Sequence, residues 1–86
     1  MPEISRFYGI IIAMFHDEHN PPHFHARYGS EKISIRINDL SILSGAFPPR
    51  ALGIVMEWAS LHQSELMQNW ELATHYKPLE PINPLK

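Results

Sequence analysis

The stretch DEHNPPHFHARYG, residues 17–29, concentrates the side chains of this sequence that can do chemistry. His23 and His25 lie two positions apart, a spacing that puts both imidazoles on one face of a β-strand. Two imidazoles on one face can share a metal ion, or they can act as acid and base near neutral pH. The stretch is therefore the candidate functional site of the sequence.

One interpretation of this stretch is a metal site. His19, across a proline turn from the strand, supplies a third nitrogen to His23 and His25, and three imidazoles with one open position are typical of catalytic zinc. Glu18 or Asp17 offers a carboxylate as a ligand or as a base. Because the sequence contains no cysteine, a metal such as zinc has only histidine and carboxylate ligands available.

A second interpretation, which we favour, uses the same face without a metal ion or any other cofactor. His23 and His25 act as base and acid in the transesterification of RNA, where the 2′-hydroxyl is the nucleophile. Arg27 stabilises the charge that develops on the phosphate. The following strand adds the polar residues of a substrate-binding patch: Lys32, Ser34 and Arg36. On this interpretation the chain is a metal-independent, ribonuclease-like enzyme.

A third interpretation assigns the histidines no reaction. Imidazoles beside a proline turn can hydrogen-bond backbone carbonyls and hold the turn in place, while basic strand residues are often only solvated. The chain is then a non-enzymatic module for protein interaction. The residues alone leave all three interpretations open.

Apolar patterning predicts an α+β domain with three or four strands in an antiparallel meander, followed by one long helix. Residues 6–15 are rich in β-branched and aromatic types and predict a first strand that is apolar on both faces. The segment LSILSG, residues 40–45, is a weaker candidate for a last strand. Residues 49–74 repeat apolar positions at helical spacing and predict a single helix, straight or bent.

Alternation around residues 29–30 predicts the hairpin that carries the site. A two-residue turn there pairs Phe24 with Ile35 on one face and His25 with Ser34 on the other. The face with Phe24 is apolar and is expected to receive the helix. The polar face stays open to solvent.

The last ten residues, 77–86, form a proline-rich tail after the predicted domain of residues 1–76. Proline recurs there at every third position, which suits a polyproline II helix with three residues per turn. An apolar residue follows each proline: Leu79, Ile82 and Leu85. This apolar stripe either packs on the chain's own sheet or helix, or it docks a partner.

Length and charge limit the classes of protein. A chain of 86 residues forms a single domain, and a net charge of −2 gives no overall signature of nucleic-acid or membrane binding. The longest apolar stretch, residues 7–15, is too short to span a bilayer and is followed by charged residues, which argues against a signal peptide. We expect a cytoplasmic protein that does not bind membranes.

The run from Asp17 to His25, with PPRAL and the later tryptophans, resembles a family of small bacterial proteins, the domain of unknown function DUF4160. The positions that match its pattern are Glu18, His19, Pro21, Pro22, His23, Phe24 and His25, then Arg50, Trp58, His62 and Trp70. His16 departs from the pattern, which has an aromatic residue there. Because members are often encoded beside another small domain, the resemblance implies a toxin–antitoxin-like pair, with this chain as toxin and a small antitoxin-like partner. It does not choose between RNA and metal.

Overall fold

The computed structural model describes residues 2–86 and has an α+β fold. Within these residues, five antiparallel strands form one sheet in the order β1-β2-β3-β4-β5, and two helices follow. The strands are β1 (Glu3–Phe7), β2 (Ile10–Ala13), β3 (His23–Tyr28), β4 (Glu31–Arg36) and β5 (Ile42–Gly45). The helices are α1 (Pro49–Leu61) and α2 (Gln63–Thr74). The predicted class is confirmed, but the strands exceed the three or four expected and the helix is divided.

The predicted first strand, residues 6–15, covers two strands instead of one. The chain reverses at Tyr8 and Gly9, whose φ angles are 50° and 79°, and β1 therefore pairs with β2. Positive φ at both central residues is the geometry of a two-residue hairpin turn that suits strand twist. The apolar pattern conceals this turn because a tyrosine occupies a position that usually carries Asn, Asp or Gly.

The predicted hairpin of β3 and β4 is confirmed in its register. Phe24 lies opposite Ile35 and His25 lies opposite Ser34. Gly29, in the turn, has a φ of 60°, a conformation that glycine adopts at little cost. Alternate residues of the two strands therefore leave opposite faces of the sheet. The last strand, β5, lies within residues 40–45, for which the sequence provided a weaker prediction of a strand.

The predicted single helix is interrupted at His62, whose φ of −128° and ψ of 25° lie outside the helical region. Its backbone N–H donates to the carbonyl of Ala59, and its own carbonyl accepts the first bond of α2 from Leu66. The imidazole packs on Trp58 with ring centroids 5.3 Å apart, while Nδ1 lies 2.5 Å from a carboxylate oxygen of Glu65. These contacts hold the break in place. No helix in the described part of the chain combines the length and apolar character needed to cross a membrane.

Both helices come after the five strands in the sequence. Helix α1 packs on the face of the sheet that was predicted to be apolar. This covered face contains the buried residues of the hairpin: Phe24, Ala26, Ile33 and Ile35. Trp58 is fully buried, and its ring centroid lies 5.2 Å from that of Phe7 and 6.1 Å from that of Phe24. The opposite, open face carries the polar residues of the same strands: His23, His25, Arg27, Lys32, Ser34 and Arg36.

The proline-rich tail packs on the chain's own core. Ile82 is only 4% exposed, and its backbone N–H donates to the carbonyl of Ile4 at 2.8 Å. The buried amide of Asn69 donates to the carbonyl of Glu80 and accepts from its N–H, both at 2.8 Å. Of the two alternatives for the apolar stripe, packing on its own fold is confirmed. The tail thus links β1 to α2.

Candidate functional site

Three side chains near the start of β3 converge and form what we call the His–Glu cluster: Glu18, His23 and His25. One nitrogen or oxygen atom of each lies within 4.8 Å of the corresponding atoms of the other two. The histidines share a face because they are two positions apart on β3. Glu18 reaches them from the loop between β2 and β3, which contains Pro21 and Pro22.

His25 lies at the centre of a short chain of hydrogen bonds. Its Nε2–H donates to Oε1 of Glu18 at 2.6 Å. Because a neutral imidazole then has a lone pair on Nδ1, the hydroxyl of Ser34 donates to that atom, at 3.1 Å. Phe15 packs edge-on to the imidazole with ring centroids 4.9 Å apart. The hairpin register supplies Ser34, because it places this residue directly opposite His25.

His23 is held more tightly and is less exposed than His25. Its Nδ1–H donates to the carbonyl of Pro21 at 2.8 Å, and its Nε2 lies 3.7 Å from Oε2 of Glu18. The ring also packs against Trp70 of α2, with centroids 5.4 Å apart. These contacts leave its side chain 11% exposed, compared with 30% for His25.

The hydrogen bonds determine which atoms of the two rings face the cluster. A carbonyl oxygen accepts and cannot donate, so the proton of a neutral His23 ring is on Nδ1 and the lone pair is on Nε2. That lone pair faces a carboxylate oxygen of Glu18, and two acceptors therefore lie opposite each other. The geometry of the three groups is one that could hold a metal ion.

Beside the cluster, the open face carries a cleft of about 390 Å³. His25 forms part of its wall together with Arg27, Lys32 and Ser34. Arg27 and Lys32 are cross-strand partners, so two like charges stand side by side, an arrangement that an anion stabilises. Apolar side chains of the same face complete the wall: Ile11, Ala13 and Phe15. The cleft suits a ligand with an anionic group next to an apolar or aromatic one.

Two residues that the sequence placed in the site lie elsewhere. His19 is exposed and does not join the cluster, where Glu18 stands in the place expected for the third ligand. Arg36 lies opposite His23 in the hairpin, but its Nη1 is 3.6 Å from Oδ2 of Asp39 and it does not line the cleft. The sequence predicted Glu18 only as one of two possible carboxylate ligands, beside Asp17. Because a loop has no periodicity, the sequence does not show whether Glu18 or His19 joins the two histidines of β3.

Asp39, the residue that interacts with Arg36, is itself stabilised in its charged form. Ser41 donates its hydroxyl and its backbone N–H to Oδ1 of Asp39, at 2.8 Å and 3.1 Å. The hydroxyl hydrogen bond is the main reason that the pKa of Asp39 lies below its usual range, with the backbone bond and the charge of Arg36 acting in the same direction. Arg36 is thus held outside the cleft by a carboxylate that stays ionised.

The region that carries the cluster also matches a known protein family. The family described as Domain of unknown function (DUF4160) matches residues 9–71, which include the His–Glu cluster, the β3–β4 hairpin and α1. Comparisons with curated proteins and with solved structures gave no significant match. Because the family match spans well over half of the sequence, the chain belongs to the domain of unknown function family DUF4160.

Proposed function

We propose that the chain acts on RNA as the toxin of a toxin–antitoxin-like pair, and that it cleaves phosphodiester bonds at the open-face cleft. The observation that carries this proposal is that His25, Arg27 and Lys32 line one cleft. An RNA phosphate binds paired cationic side chains through charge-assisted hydrogen bonds. The apolar wall near Phe15 accommodates an unstacked base.

His25 is the base in this proposal. Glu18 accepts a hydrogen bond from its Nε2–H and stabilises the imidazolium that forms, while Nδ1, next to Ser34, receives the proton of the 2′-hydroxyl. The 2′-oxygen then attacks phosphorus and displaces the 5′-oxygen, which takes a proton from water. His23 does not line the cleft, so it takes no direct part in this reaction.

Incubation of tag-free protein with fluorescent RNA tests this proposal directly. We expect cleavage to fall by roughly 10²–10⁴-fold in His25→Ala, the usual contribution of a general base. His75→Ala is the matched control, because His75 is exposed and contacts the end of α2. Absence of cleavage by the wild type over a broad set of RNAs, or equal cleavage by both variants, rejects the proposal.

Expression in a host without the neighbouring gene tests the toxin role. We expect wild type to arrest growth and His23→Ala/His25→Ala to be tolerated at equal protein level. If both proteins are equally harmless, the toxin role is rejected. Growth arrest by both means that the effect comes from another part of the chain.

The edge strand β5 is the surface that best fits an antitoxin-like partner. It is an end strand of the sheet and all four of its residues are exposed, including Ile42 at 45% and Leu43 at 38%. An edge with apolar side chains can receive an extended segment of a partner as an added strand. We expect Leu43→Lys to prevent co-purification with the product of the neighbouring gene and to leave RNA cleavage unchanged. Unaltered co-purification would place the partner on another surface.

A further inference from the structure

Phosphate binding in the cleft gives Arg27 and Lys32 a role. It does not explain why the three side chains of the His–Glu cluster converge beside the cleft. In phosphodiester cleavage the attacking and leaving oxygens lie roughly in line, so an acid and a base act from opposite sides of the phosphorus. His23 and His25 instead approach the same carboxylate, with ring centroids 5.1 Å apart. The two imidazoles therefore do not flank a substrate.

We infer that Glu18, His23 and His25 bind a divalent transition-metal ion such as zinc. Two histidines and one carboxylate are a common ligand set for catalytic zinc and for non-haem iron, and they leave positions open for water. The inference goes beyond the proposed function, because an ion on Nε2 of His25 leaves Nδ1 protonated and takes this imidazole out of the role of base. An ion held there lies next to the paired cations that receive an anionic substrate.

The distances suit such an ion. Tetrahedral zinc with bonds of about 2.1 Å keeps its ligand atoms roughly 3.4 Å apart. Oε2 of Glu18 lies 3.7 Å from Nε2 of His23, and Oε1 lies 2.6 Å from Nε2 of His25. The first distance is close to this separation, and the second is a hydrogen bond that has to lengthen when an ion displaces the proton between its two atoms.

The far side of each ring is arranged as in metal sites. A histidine that binds a metal through one nitrogen usually donates the other N–H to an oxygen, which fixes the orientation of the ring. The Nδ1 of His23 donates to the carbonyl of Pro21, and the Nδ1 of His25 lies 3.1 Å from the hydroxyl of Ser34. When His25 binds the ion through Nε2, the ring adopts its other neutral tautomer: Nε2 loses its proton, Nδ1 gains one, and Nδ1–H donates to the hydroxyl oxygen of Ser34.

The surroundings of the cluster hold the rings and still admit an ion. Phe15 packs on His25 and Trp70 packs on His23, which restricts both imidazoles. Glu18 is 27% exposed, so the carboxylate can capture an ion from solvent. The contact of Trp70 with His23 also provides a signal, because a paramagnetic ion bound to this ring quenches the indole fluorescence.

Titration of tag-free, chelator-stripped protein with Zn²⁺ by calorimetry, and with Co²⁺ by absorption and fluorescence, tests the inference without RNA. We expect one ion per chain and a loss of affinity of more than about 100-fold in His25→Ala and Glu18→Gln, beyond what loss of an outer partner causes. Glu65→Gln is the matched control: Glu65 also contacts an imidazole, that of His62, but within the described residues it belongs to no group of three possible metal ligands. Its affinity should equal that of wild type.

Other outcomes overturn the inference. Absence of stoichiometric binding rejects the site, as does an equal loss of affinity in Glu18→Gln and Glu65→Gln. A loss in His19→Ala together with full binding in Glu18→Gln replaces the ligand set. RNA cleavage is measured separately with and without EDTA: binding without cleavage rejects only the proposed function, whereas cleavage without binding rejects only the metal site.

Discussion

The two faces of the β3–β4 hairpin use alternate residues of the same strands for different purposes. On the covered face the side chains are at most 2% exposed: Phe24, Ala26, Ile33 and Ile35. On the open face, His25 and Ser34 are partly exposed and hydrogen-bonded, and Arg27 and Lys32 are exposed. One face therefore forms part of the core, and the other carries the candidate site.

The turn at residues 29–30 determines which residues of β3 and β4 lie opposite each other on the covered face and which do so on the open face. Side chains alternate with a period of two, so a shift of one residue in the pairing would exchange the faces. The turn at residues 29–30 fixes the pairing of Phe24 with Ile35 and, as a consequence, that of His25 with Ser34. Any change that keeps this pairing of the core residues therefore also keeps Ser34 opposite His25.

The two faces should differ most in how much a substitution on each lowers the free energy of unfolding. We expect Phe24→Ala to lower the free energy of unfolding by about 3–5 kcal/mol, because it leaves a cavity beside Trp58. His25→Ala, on the next position, should change it by less than about 1 kcal/mol. Urea denaturation followed by tryptophan fluorescence measures both. Similar losses in the two variants would contradict the division between the faces.

Trp70 is the residue through which the faces should be coupled, because it is buried and yet packs on His23. We expect a double-mutant cycle of Trp70→Phe and His23→Ala to give a coupling energy of roughly 0.5–1.5 kcal/mol. The same cycle with His25→Ala should give a value near zero. Coupling energies of equal size in both cycles would mean that Trp70 affects His23 and His25 equally.

Arg27 and Lys32 should affect RNA binding without affecting the core. We expect Arg27→Ala and Lys32→Ala each to reduce the slope of log K against log salt by about 0.7, the value for one phosphate contact on a single strand. Fluorescence anisotropy over a salt series measures the slope. Arg36→Ala is the control, because Arg36 interacts with Asp39 outside the cleft. A reduced slope in this control would extend the binding surface to the start of the hairpin.

The smallest effect concerns the carboxylate that keeps Arg36 outside the cleft. Because the pKa of Asp39 is lowered in the folded state, its contribution to stability is complete above the unfolded pKa and disappears as the pH falls through the folded pKa. We therefore expect wild type to be slightly more stable than Ser41→Ala at neutral pH, with the difference vanishing under acid conditions. Denaturation midpoints at several pH values measure it. A difference that persists in acid would assign the effect to another contact.

The sequence predicted the parts of this fold that depend on periodicity. Alternation around Gly29 gave the register of the hairpin, the face that α1 covers and the common side of His23 and His25. Each of these follows from side chains that repeat every second residue. The polar face was therefore recognisable as the candidate site before any contact was known.

Features without periodicity required the three-dimensional structure. The loop between β2 and β3 directs Glu18 inward and leaves His19 exposed, although the two are neighbours in the sequence. The turn at Tyr8 and Gly9 lies inside an apolar stretch that resembles one strand. Directly after the break at His62, the side-chain amide of Gln63 donates to the carbonyl of Ile37 at 2.8 Å, a long-range contact that local propensity does not contain.

The hydrogen bond from Ile82 to Ile4 has a consequence for solubility. It joins residues from the two ends of the described chain, so it closes a very long loop and is expected to form after the local hairpins. Opening of this contact would separate the tail from β1. When the tail opens, β1 becomes a second free edge of the sheet in addition to β5, and self-association of exposed edges is then expected to increase.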